Sequence, residues 1–95
     1  MRVIAGTSRG RRLASFKGRD VRPTPDRVRE ALFSILQSRL GDFSGLRVLD
    51  LFSGSGALAI EALSRGALTA CLVENAPESE RIIRENLERS AMYGG

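Results

Sequence analysis

The sequence predicts an α/β fold on a parallel sheet, and three observations carry that prediction. Two apolar runs of strand length, residues 47–52 and 69–73, are each followed by a helical run, residues 57–65 and a stretch opening at Pro77. A glycine loop, Ser53-Gly54-Ser55-Gly56, joins the first strand to its helix. Two strand–helix pairs in succession bring their strands together in parallel through right-handed crossovers. Such sheets are normally covered on both faces, which two strands alone cannot sustain, and the pattern stops where a third strand would begin. The expectation is therefore the amino-terminal half of a larger domain over residues 23–95, preceded by a small extension over residues 1–22.

The extension reads as a β-hairpin. Arg2-Val3-Ile4-Ala5 is a short strand, residues 6–10 are turn-rich, and residues 11–16 return beside the first arm. It is too short and polar to hold a core of its own, so it must lean on the remainder of the chain. In the first helix Thr24 is the expected cap, Pro25 suits the first helical position, and Asp26 complements the dipole. Val28, Ala31, Leu32, Ile35 and Leu36 then recur at helical spacing as one apolar stripe, which Gly41 ends. In the next helix Leu58, Ile60, Ala62 and Leu63 are the residues to bury, with Gly66 as the stop. Cys71, flanked by Ala70, Leu72 and Val73, is expected to be a buried strand residue. Ile82, Ile83, Leu87 and Ala91 form the inner stripe of the last helix.

Charge separates the extension from the body. Residues 1–30 carry nine basic side chains against three acidic ones, net +6, and residues 31–95 carry six against eight, net −2. Of the 15 basic residues only Lys17 is not arginine, and arginine is the side chain suited to forked contacts with phosphate and to stacking on bases. A basic segment beside a neutral body points to a polyanion partner, although charge alone fits a solvated surface equally well. No apolar run approaches the roughly 20 residues of a membrane helix, and Val3-Ile4-Ala5 is too brief for a signal-peptide core, so a cytoplasmic address is expected. With one cysteine and no histidine, neither a disulfide nor a metal cluster is expected.

The motif that carries chemistry is Asp50-Leu51-Phe52-Ser53-Gly54-Ser55-Gly56, with Glu74 at the end of the second strand. Gly54 and Gly56 allow a sharp turn and a close approach of backbone to ligand. Glu74 lies 20 residues beyond Gly54, where its carboxylate can accept hydrogen bonds from ribose hydroxyls. Gly54-x-Gly56-x-x-Ala59 also satisfies the fingerprint for nicotinamide or flavin dinucleotides. Asp50 tips the balance: a carboxylate beside the loop repels a pyrophosphate but suits the sulfonium and ammonium of S-adenosylmethionine. Arg22-Pro23-Thr24 leads into a helix start that would attract an anion, either a methionine carboxylate or an RNA phosphate.

Four stretches, Arg2–Gly6, Arg9-Gly10-Arg11, Arg22–Phe33 and Asp50–Leu58 continuing through Glu61–Gly66, resemble the RsmD family, whose members methylate guanine N2 in small-subunit ribosomal RNA. The resemblance implies a Rossmann-like class I S-adenosylmethionine-dependent methyltransferase fold, truncated after the second βα unit. It implies a cofactor site of Asp50, Ser53, Gly54, Ser55, Gly56, Glu74 and Asn75, with Arg22 and Thr24 beside the methionine pocket. Arg9, Arg11 and Arg12, with Lys17 and Arg19, match an extension expected to grip RNA, and Asn86 is given a structural role only. Small-subunit ribosomal RNA is the implied partner, with ribosomal proteins of an assembling particle as a further class. Ser53, where alanine is common, and Asn75, where a charged residue is usual, are departures.

A larger departure concerns turnover. The family uses an Asp/Asn-Pro-Pro-aromatic motif after the fourth strand, but the prolines here are Pro23, Pro25 and Pro77, with no adjacent pair. No catalytic residue is therefore assigned, and residues 1–95 are expected to be inactive alone. An adenine-N6 methyltransferase of DNA or RNA, a nicotinamide-dependent oxidoreductase, and a non-catalytic RNA-binding module stand as alternatives.

Overall fold

Arg47–Asp50 (β1) and Thr69–Leu72 (β2) pair in parallel, with Arg47 opposite Thr69 and Asp50 opposite Leu72. Ala57–Ser64 (α2) makes the crossover between them, Asp26–Leu40 (α1) precedes β1, and Pro77–Arg89 (α3) follows β2. The structure is a computed structural model that describes residues 1–14, 25–51, 54–74 and 77–90. It is a small α/β unit with two parallel strands. Among the described residues no helix is long and apolar enough to cross a membrane.

α2 is the central element. Ala57, Ala59, Ile60 and Ala62 are buried, the alanines small enough for neighbours to close in from several sides. One core cluster sets Ala57 and Ile60 against Val3 and Leu13 of the extension, with Leu87 from α3 packed on it. The other sets Ala62 and Ala67 against Phe33 of α1 and Phe43, with Val48 of β1 beside them. The extension thus borrows its core from α2, as its size requires.

Several expectations are corrected. Among the described residues the hairpin is a single antiparallel bridge, Arg2 to Arg12, flanked by bonds from the Val3 amide to the Arg11 carbonyl (2.9 Å) and from the Leu13 amide to the Met1 carbonyl (2.8 Å). Beyond the bridge the Ile4 and Ala5 amides donate to the Glu61 carboxylate (2.9 and 3.0 Å), which ties this arm to α2. The boundary at residue 22 and the expected Thr24 cap lie outside the described residues. Pro25 occupies the cap position of α1 and not its first helical position.

Of the apolar stripe assigned to α1, Leu36 packs on the core and the rest is exposed. Val28 and Ile35 are 53% and 56% exposed, while Arg29 and Phe33 are buried. The helix is turned toward the partners that Arg29 and Phe33 find. Phe33 meets Phe43 edge to face at 5.8 Å and receives the Arg65 guanidinium over its ring at 4.9 Å. Cys71 is exposed, not buried. Strand residues alternate between faces, and only the face bearing Val48, Asp50, Ala70 and Leu72 is sheltered, leaving Leu49 and Cys71 open.

Candidate cofactor cleft and nucleic-acid face

The glycine loop is held by backbone shape and by packing together. Gly56 caps α2 in the left-handed region (φ 83°), where a side chain is strained. A Cβ there would also lie 3.2 Å from Ile83 Cγ1 and 3.3 Å from Leu72 Cδ2. Among the described residues no side chain caps α2, so its first amides keep their donors for another acceptor.

Both acidic residues stand at the same end of the two adjacent strands. The Asp50 carbonyl accepts from the Val73 amide at 2.8 Å, and Glu74 Oε1 accepts from the Gly54 amide at 2.9 Å. Strand β2 thereby reaches back to the loop that leaves β1, and Asp50, Gly54, Ser55, Gly56 and Glu74 belong to one rim. Ser53, Asn75, Arg22 and Thr24 lie outside the described residues.

Arg9, Arg11 and Arg12 are exposed on the extension, whereas Lys17 and Arg19 fall outside the described residues. Two further arginines escaped the sequence reading as site residues. Arg2 and Arg27 join Arg9 around a cleft of about 410 Å³ between the extension and the start of α1, with Asp26 and Glu30 on its wall. None of these five arginines forms an ion pair among the described residues. Arg2 and Arg27 had as sequence signals the excess of charge in residues 1–30 and their place in two of the stretches that carry the resemblance.

Buried polar side chains of α2 and α3 fasten this basic extension to the body. Glu61 is fully buried and accepts from Arg65 Nε at 2.8 Å besides the Ile4 and Ala5 amides, with Arg29 Nε at 3.7 Å. Arg29 in turn binds Asp26 at 2.9 Å and the Arg2 carbonyl. Ser64 Oγ donates to the Ala5 carbonyl (2.6 Å) and accepts from the Ser8 amide (2.9 Å), while Ser8 Oγ donates to the Ser90 carbonyl. Gly6 is required here: a Cβ would sit 1.9 Å from the Ser64 carbonyl oxygen. Asn86, also fully buried, binds both Ala14 and Ser55. No periodicity or local spacing marks Glu61 or Asn86, because their partners are distant in sequence.

The family model described as Conserved hypothetical protein 95 matches residues 1–94. The chain is similar to Ribosomal RNA small subunit methyltransferase D of Escherichia coli (strain K12), 49% identical over 74 residues that cover 78% of this chain and 36% of that protein. It is 39% identical over 88 residues to Ribosomal RNA small subunit methyltransferase D of Haemophilus influenzae, covering 93% of this chain and 44% of the relative. A solved structure of a hypothetical protein from Thermus thermophilus superposes with a TM-score of 0.81 at 37% identity, covering 96% of this chain and 50% of that one. The chain thus spans less than half the length of these curated relatives.

Proposed function

Because the chain belongs to the Conserved hypothetical protein 95 family, the RsmD family of the sequence resemblance, we propose that the full-length protein is an S-adenosylmethionine-dependent methyltransferase of small-subunit ribosomal RNA that modifies guanine N2. The observation carrying this reading is the single rim that gathers the glycine loop, Asp50 and Glu74, with Glu74 already bonded to the Gly54 amide.

The residues present suit the cofactor. Two carboxylates beside helix amides that no described side chain caps suit a ligand with cationic and hydroxyl groups better than a diphosphate. Glu74 accepts the ribose hydroxyls, the Asp50 carboxylate attracts the ammonium and sulfonium, and the loop backbone of residues 54–56 borders the methionine end; the family resemblance assigns Ser53, Arg22, Thr24 and Asn75 to the same pocket. When bound, S-adenosylmethionine would supply an activated methyl group for transfer to an exocyclic amine. This chain's part is to hold and align, which is where most of the rate in such a transfer arises. Arg9, Arg11, Arg12, Lys17 and Arg19 bind the RNA backbone, and the target guanine is unpaired or flipped to expose its amine. In the absence of an Asp/Asn-Pro-Pro-aromatic segment, residues 1–95 bind but do not transfer.

The test is incubation of the full-length protein with labelled S-adenosylmethionine and unmodified small-subunit ribosomal RNA, followed by nucleoside mass spectrometry. N2-methylguanosine is expected, and label in N6-methyladenosine instead would hand the assignment to the adenine-modifying alternative. Calorimetry adds an independent check: S-adenosylhomocysteine should bind and NADH should not. Glu74→Ala should weaken S-adenosylhomocysteine about 10- to 100-fold, the loss expected for hydrogen bonds to a charged acceptor.

A further inference from the structure

The side chain of Asn86 is fully buried on α3, yet it serves two distant segments at once. Its Oδ1 accepts from the Ala14 amide, and Nδ2 donates to the Ala14 carbonyl at 2.9 Å. Nδ2 also donates to the Ser55 carbonyl at 2.9 Å. One carboxamide therefore closes a backbone-like pairing with the basic extension and holds a peptide of the glycine loop. Both of its N–H donors are in use, so neither segment can turn away without leaving a buried polar group unpaired, which is costly.

The Ser55 contact also sets what the loop shows to a ligand. A trans peptide points its carbonyl and its N–H in opposite directions. With the Ser55 carbonyl directed at Asn86, the Gly56 N–H of the same peptide, just before α2, is directed away from it. A different orientation of that peptide would release Nδ2 and loosen the grip on Ala14.

We propose that Asn86 is a positioning residue that couples the RNA-binding extension to the cofactor loop, so that RNA and S-adenosylmethionine each strengthen the binding of the other. The proposal rests on the functional reading given above for the two segments. Fixing the loop peptide around a cofactor holds the carboxamide in the orientation that holds Ala14, and ordering the extension on RNA does the reverse. Coupling of binding free energies is reciprocal by necessity, so one ligand's effect on the other measures it.

The experiment measures the affinity of the full-length protein for a small-subunit ribosomal RNA transcript, with and without saturating S-adenosylhomocysteine. In the wild type the cofactor product should tighten RNA binding about fivefold or more, the lower end of common coupling factors. In Asn86→Leu the ratio should fall to about one while each ligand still binds. A variant that weakens both ligands and keeps the ratio has lost stability only, and that result overturns the coupling. Hydrogen exchange on the wild type needs no substitution: the Ala14 amide should exchange more slowly when S-adenosylhomocysteine is added, and an unchanged rate also overturns the proposal. A wild type that binds both ligands with no coupling sinks this inference alone, whereas failure to bind S-adenosylhomocysteine at all sinks the functional reading beneath it.

Discussion

Glu61 holds a carboxylate out of water among two arginines and two backbone amides. Such a group is valuable only while its partners stay in place, because removing one member strands the other charges in a poorly solvated site. Glu61→Gln should therefore destabilise the chain by about 3–5 kcal/mol, as for other broken buried pairs, read from urea denaturation. Gly6→Ala should be worse than an ordinary left-handed glycine replacement, since the new methyl group would meet the Ser64 backbone, which has no flexible end to give way. The rim residues were legible in the sequence for a local reason: strand, loop and helix follow one another directly, so Asp50, Gly54 and Gly56 are placed by three consecutive elements. Glu61 was not, and Asn86, given a structural role by resemblance, had no partners that could be named, because their bonds span 57 and 72 residues and exist only once the extension has folded back.

Secondary structure was largely readable from periodicity and stop signals, and the strands and helices of the body fall where apolar runs and glycines put them. What periodicity misjudged was the rotation of α1. A search for apolar spacing finds Val28, Leu32 and Ile35 and overlooks Arg29, whose burial is made possible by carboxylates from its own helix and from α2. The two faces can be told apart by experiment. Phe33→Ala should cost about 3–5 kcal/mol, as for a core aromatic, while Ile35→Ala should stay within about 0.5 kcal/mol, both measured by denaturation of the 95-residue chain. Equal losses at the two positions would mean that α1 is turned otherwise. The hairpin shows the same limit on a smaller scale: its pairing begins as the alternation suggests, and the amides beyond it donate to a side-chain acceptor that alternation does not register.

At the scale of the whole molecule, the described residues carry a basic cleft and an exposed sheet face. Arg2, Arg9 and Arg27 surround a cleft at the extension, so replacing any one by alanine should weaken RNA binding similarly across sequences and lower the salt dependence of log affinity by about one phosphate contact. A sequence-selective loss would instead mark that residue as a reader of bases. The open side of the sheet has a different consequence. Cys71, the only cysteine in the sequence, lies exposed there beside Leu49, so its thiol is a built-in reporter of whether that side is covered. Maleimide should modify it rapidly in the 95-residue chain and slowly in any longer form or assembly that buries the sheet. A chemist can thus follow the completion of this fold by counting labelled molecules, with no engineered probe at all.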